Sequence, residues 1–204
     1  MDLVTINPAK LTEEDRKLLS LLAEKSKAKT TLLKVESGEI FKIGEVEFIK
    51  FSDVDGVTTA VTKNAVFKSE FGDNNNFAES TIINRLSTEF LPEIIACVGE
   101  ENILDIETDL TTLDGVKTFG KTTSKISLPT LDFYRANVEI FDKYKLPEWW
   151  WLATPWSAYP HYESSCVLCV SPRGNIDSSN NYDGSNGVRP ILRFSSSIFV
   201  SDEE

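Results

Sequence analysis

This chain of 204 residues has no run of 18 apolar residues, a single histidine and only three cysteines. The first absence excludes a hydrophobic membrane-spanning helix. The N-terminus, M-D-L-V-T-I-N-P, lacks the basic-then-apolar order of a signal peptide. No signal peptide and no membrane insertion are therefore expected, and the chain is expected to be made and kept in the cytoplasm. Cys97, Cys166 and Cys169 leave one thiol over if any two pair, which does not suggest the disulfide framework of a small secreted domain. No stretch concentrates Lys and Arg. With 32 acidic and 21 basic residues the net charge of −11 repels phosphate backbones, so nucleic acid is not an expected partner.

Groups able to do chemistry are equally scarce. An enzyme needs a positioned nucleophile, base or metal, and the candidates reduce to His161 and the pair Cys166 and Cys169. The C-x-x-C spacing invites a zinc or redox reading. In an extended strand, however, the two thiols point to opposite faces, and no second C-x-x-C or H-x-x-x-H completes four ligands. The run Asp177 to Gly184 offers oxygens, but its glycine stands at the eighth position, not at the sixth as in an EF-hand loop, and a solvated turn is the plainer reading. No catalytic residue, metal or cofactor is expected.

What the chain does contain is patterned. Thr12 caps a run, T-E-E-D-R-K-L-L-S-L-L-A-E-K, with acidic residues in the first turn and Leu11, Leu18, Leu21 and Leu22 at helical spacing. An isolated N-terminal helix follows, docked on its own domain, on a partner or on a symmetry mate. From Thr31 the period changes to two, with Ile43, Val46 and Phe48 on inner faces, a turn at Gly44 and a hairpin at Asp55-Gly56. Ser80 caps a helix whose stripe is Ile82, Ile83, Leu86 and Phe90 and which Pro92 closes or kinks. Glu100 to Lys125 reads as a long excursion with short strands, and Pro129 opens another short helix. All four tryptophans fall between Trp149 and Trp156. Strand alternation sends Trp149 and Trp151 to one face and Trp150 to the other, which makes most of the cluster core and leaves Trp156, past Pro155, as the one suited to a ligand surface.

Between Ser157 and Asn186 the positions outside strands are almost all Ser, Tyr, His, Asn, Asp and Gly. Antibody loops use that palette because Tyr supplies rigid amphipathic area while Ser and Asn supply adaptable hydrogen bonds. The candidate binding residues are Trp156, Tyr159, His161, Tyr162, Asn175, Asn180, Asn181, Tyr182 and Asp183. Ordinary polar loops without a partner are the alternative.

The C-terminal third resembles a C-type-lectin-like domain family of unknown function, widespread in bacteriophages and gut bacteria. Its signature is carried by Trp150, Trp151, Leu152 and Pro155, then by Val170 to Gly174, then by Gly187, Val188, Arg189, Pro190, Ile191 and Leu192. The hairpin from Phe41 to Val61, the helix with Ile83 to Leu86 and the Leu128-Pro129 step extend the resemblance to about residues 38 to 200. Ala153 stands where that family shows Arg, so no contact of that arginine carries over. The resemblance implies an α+β, C-type-lectin-like fold with short antiparallel strands and two helices, occupying residues 37–204, with residues 1–36 as N-terminal helix and linker. It also implies a non-enzymatic binding or display module of a virion, attached to a protein or glycan on a bacterial surface or to other virion subunits, as a homo-oligomer or part of a larger assembly. Two alternatives stay open. One is a phage-encoded intracellular inhibitor of a host protein, the other an oxidase of the formylglycine-generating type, which shares the fold.

Overall fold

The computed structural model describes Thr12, residues 29–162 and residues 164–202. The helix expected from Thr12 to Lys25 lies outside the described residues, apart from an exposed Thr12.

The described chain is mostly β, with fifteen strands in three sheets and no α-helical segment longer than the 8 residues of Leu91–Val98. This corrects the expected α+β, C-type-lectin-like architecture with two helices. The larger sheet has eight strands and curls into a half-barrel. It comprises β1 (Lys29–Thr31), β2 (Ile40–Ile43), β3 (Val46–Val54), β4 (Val57–Thr62), β6 (Ile103–Leu104), β9 (Ile126–Ser127), β14 (Ile191–Ser195) and β15 (Phe199–Asp202). The second sheet runs in the order β12 (Ile176–Asn180), β11 (Cys166–Val170), β10 (Trp150–Pro155), β13 (Gly187–Val188), β5 (Phe67–Lys68). A hairpin of β7 (Ile106–Asp109) and β8 (Lys121–Ser124) completes the set and falls within the excursion expected from Glu100 to Lys125.

Local chemistry explains the well-formed pieces. β3 turns into β4 at Asp55-Gly56, where both residues take positive φ, 52° and 76°, as the tight turns that match strand twist require. Phe48 to Phe51 are buried without a break, because the sheet has protein on both faces. Phe41, Phe48 and Phe194 meet on one face, with ring centroids 5.5–6.4 Å apart. Ile49, Phe51, Val61 and Ile191 belong to a second cluster on the other.

Ser80 caps the helix as expected, its Oγ accepting from Ile83 N at 3.1 Å. The helix then continues past Pro92 through α1 (Thr81–Arg85), a π-helical turn (Leu86–Phe90) and α2 (Leu91–Val98). Ile82, Leu86 and Ile94 are fully buried and Phe90 nearly so, a stripe that recurs every four residues, with Leu91 buried beside it. A pure α-helix would rotate such a stripe by about 40° per step, and the wider π turn takes up that drift while accommodating the missing N–H of Pro92. Thr130 caps α3 (Leu131–Ala136), and Asn137, at φ −129° and ψ 24°, separates it from α4 (Val138–Lys143).

The segment expected as helix and linker, 1–36, contributes β1, which pairs with β15, and it buries Leu32 and Val35. Leu32 also anchors a polar knot. Lys50, only 2% exposed, donates from Nζ to the Leu32 carbonyl at 2.9 Å and to Asp53 Oδ2 at 3.2 Å. Thr58 and Ser196 donate to the same carboxylate oxygen at 2.8 and 2.6 Å. Burial raises the Asp53 pKa, but the hydrogen bonds of Ser196, Thr58 and Lys50 and the Lys50 charge outweigh it, and the net direction is down.

Candidate functional site

Beyond Pro155 the chain leaves the core and its aromatics become exposed: Trp156 at 42%, Tyr159 at 69% and Tyr162 at 68%. The segment is nevertheless held. Trp156 N donates to the Cys166 carbonyl at 3.1 Å, and the Ala158 carbonyl accepts from His161 N and Tyr162 N in a tight turn. Cys166 pairs with Asn180 in the β11–β12 ladder, and Asn181 N donates to the Ser165 carbonyl at 2.8 Å. The 156–165 loop and residues 180–182 therefore share one end of that hairpin, with Tyr182 also 68% exposed.

Asp114, from the loop between β7 and β8, fastens this segment through its carboxylate. Ser157 Oγ donates to its Oδ2 at 2.6 Å, His161 Nδ1 lies 3.3 Å from the same oxygen, and Thr112 Oγ1 donates to Oδ1. Thr118 adds a bond to the Tyr159 carbonyl at 2.5 Å, and Leu113 N one to the Pro155 carbonyl at 2.9 Å. The hydrogen bonds of Ser157 and Thr112 pull the Asp114 carboxyl down to about 2, with slight burial opposing and His161 assisting. The tether therefore holds fully above the ordinary aspartate range near about 3.9 and is lost only as pH falls through about 2. Carboxyl-detected NMR should find Asp114 titrating near the lower value and Ser157→Ala moving it up. A midpoint near the ordinary value in the parent protein would mean that the loop is not fastened here.

Other candidates fall elsewhere. The expected binding loop from Asn175 to Asn186 is half strand, since Ile176–Asn180 is β12. Asn175 sits at the opposite end of the hairpin, in the turn closed by Ser171 N donating to the Asn175 carbonyl at 2.9 Å. Asn181 is buried, and its side chain donates to the Gly72 carbonyl while its own carbonyl accepts from Phe71 N at 2.7 Å. Asn180 is exposed and accepts from the Cys166 thiol, and Asp183 is held below the usual carboxylate range by hydrogen bonds from Ser185 and Ser179. Asp114, Thr112 and Ser157 are not among the residues to which the sequence points. Only the turn signal Asp114-Gly115 marks them, and it says nothing of a partner 43 residues away.

Serine, histidine and aspartate thus meet, but not as a nucleophilic relay. Both Ser157 and His161 bond the carboxylate, whereas activation of a serine needs the imidazole between hydroxyl and acid. Along β11 the thiols separate as extended geometry requires: Cys169 is buried in the cluster that contains Trp151, while Cys166 is part-exposed. Burial first, then the charges of Asp177 and Asp183, push the Cys169 thiol up to about 12, which leaves it protonated and unreactive at neutral pH. Among the described residues no group of three His, Cys, Asp or Glu side chains is placed to hold a metal ion.

The signature residues hold the scaffold beneath this face. Trp150, Trp151, Leu152 and Pro155 are buried on β10, the middle strand of its sheet. Trp151 and Trp150 do face different clusters, although Trp149, outside the strand, is 41% exposed. Gly187 permits the close approach of β13, for a Cβ there would lie 2.8 Å from that of Ala65. Val188 and Pro190 are buried, and Arg189, 1% exposed, donates from Nε to the Thr62 carbonyl at 2.7 Å. Its guanidinium lies 5.3 Å and 5.4 Å from the Phe141 and Trp150 rings, and burial lowers its pKa to about 9, still charged at neutral pH.

A mostly-β scaffold with a fastened aromatic face is the class that these features define. The chain belongs to the family described as Domain of unknown function (DUF6273), whose family model matches residues 54–196. No curated protein and no solved structure matches it.

Proposed function

We propose that this chain is a non-enzymatic binding and display module that engages a protein or glycan partner through the face formed by Trp156, Tyr159, Tyr162 and Tyr182. The observation that carries the reading is the exposure of these four rings, 42–69%, at one end of a hairpin whose loop is fastened by Asp114. Large aromatic rings exposed on a segment whose backbone is fastened are disposed for an interface, where Tyr and Trp supply much of the hot-spot energy at little entropic cost. The separated, partly buried thiols and the carboxylate shared by Ser157 and His161 support a module that does no chemistry. The resemblance to phage domains makes a bacteriophage particle, in contact with a bacterial surface or with other virion subunits, the setting proposed.

A photo-crosslinking amino acid placed at Tyr159, Tyr162 or Tyr182 in the natural source tests this. All three positions should yield one common adduct, and Val54, an equally exposed apolar residue on the β3–β4 turn, should not. Adducts of the same kind and yield from Val54 would refute the face. An adduct with a host cytosolic protein would keep the face and replace the virion by an intracellular inhibitor.

A further inference from the structure

From Trp149, along β12 to Asp183 beside Tyr182, runs a groove of about 350 Å³ that none of the four exposed rings of the aromatic face lines. It is lined by Trp149, Asp177, Ser179, Asp183, Ser185 and Asn186, with Ser178 and Cys169 completing it. Its size falls at the lower end of the roughly 300–1,000 Å³ of small-molecule sites. The polar groups are already oriented. Ser179 and Ser185 both donate their hydroxyl hydrogens to Asp183, at 2.9 and 2.6 Å, so what they can offer a ligand is acceptor lone pairs. One oxygen of Asp177 accepts from Ser178 N at 2.8 Å and the exposed carboxylate keeps acceptor capacity. One donor among the lining groups is both buried and unmet: Asn186 is 3% exposed, and its side-chain nitrogen has no hydrogen-bond partner. A buried amide left so is destabilising until a partner meets it. Trp149, 41% exposed at the rim, supplies an aromatic surface.

The ligand must therefore bring several donors for the acceptors and at least one acceptor for Asn186. Phosphates and carboxylates are excluded by Asp177 and Asp183, with no Lys or Arg in the lining to offset them. A simple ammonium or guanidinium would suit the carboxylates and the ring but has no lone pair for the Asn186 amide. Hydroxyls both donate and accept, and a pyranose also presents a C–H face to an indole. The geometry points to a binding site for one non-acidic hexopyranose unit, stacked on Trp149 and hydrogen-bonded by Asp177, Ser179, Ser185 and Asn186. This site adjoins the aromatic face but uses none of its four rings, and it stands whether or not that face binds a partner.

The test is a titration of the full-length, ¹⁵N-labelled protein with glucose, galactose, glucosamine and glucuronic acid, followed by NMR. Amides of residues 177–179 and 183–186 and the Trp149 indole should shift saturably with at least one of the first three sugars and not with glucuronic acid. Concentrations should reach roughly 100 mM, a hundredfold above a millimolar Kd. Trp149→Ala and Asp177→Asn should each weaken the response about tenfold or more. Should Trp149→Ala disturb the fold, Asp177→Asn, an isosteric change at an exposed position, decides alone. The site is overturned if no non-acidic sugar shifts these signals, if glucuronic acid shifts them as strongly, or if the folded variants respond like the parent.

Discussion

Trp151→Ala is expected to lower the free energy of unfolding by roughly 4 kcal/mol, measured by urea denaturation. Its ring is fully buried, packs edge-on to Phe71 at 5.6 Å and stands in the cluster that contains Phe48, Leu86 and Val188. Truncation to alanine removes that burial and leaves a cavity, the combination that makes large-to-small core changes costly. It also strands the Ser69 carbonyl, which accepts from Trp151 Nε1 at 2.9 Å inside the core. Against a total stability of about 5–15 kcal/mol, a loss of this size brings the domain near unfolding at moderate temperature. The same change at Trp156, a half-exposed ring, is expected to cost about 1 kcal/mol or less. Equal costs at the two positions would mean that β10 does not have the buried central place assigned to it.

Lys50→Met should cost about 3 kcal/mol, because it removes one partner of a largely buried pair and leaves the other charged. The lysine binds the Leu32 and Leu33 carbonyls as well as Asp53, so the variant also loosens the join between β1 and the rest of the sheet. The pH dependence gives a second reading. Asp53 has a lowered pKa in the folded protein, so its contribution is present above the ordinary aspartate value of about 3.9 and is lost as pH falls through the folded one. The gap between parent and variant should accordingly be widest near neutrality and narrow in acid. A gap that does not change with pH would show that only packing of the lysine stem is at stake.

Local signals were legible where a few adjacent residues settle the geometry. Asp55-Gly56 makes a hairpin, Ser80 caps a helix, and extended geometry parts Cys166 from Cys169, all within reach of neighbouring side chains. The helix did not stop at Pro92 because a π turn absorbs the proline, which a count of apolar spacings does not reveal. The predominance of β structure was hidden for another reason. Strands such as β5, β6, β9 and β13 have two residues each, too few to show a period, and they exist through partners far along the chain. β1 is called into being by β15, about as distant as two strands of this chain can be. Of the candidate face, the tyrosines and Trp156 could be named from composition alone, since polar loops carrying aromatics are visible as such. Asp114 could not, because nothing near it in the chain mentions Ser157 or His161, and Asn181 looked like a loop residue although it is buried against Gly72.

The most direct measurement replaces Tyr159, Tyr162 and Tyr182 together by alanine and compares melting temperature with affinity for the partner captured by crosslinking. Because these rings are about two-thirds exposed, melting should scarcely change, while binding should weaken by at least about 2 kcal/mol, some thirtyfold. A triple variant that binds as tightly as the parent would contradict the assignment of this face, and one that melts far below it would show the rings to be structural instead.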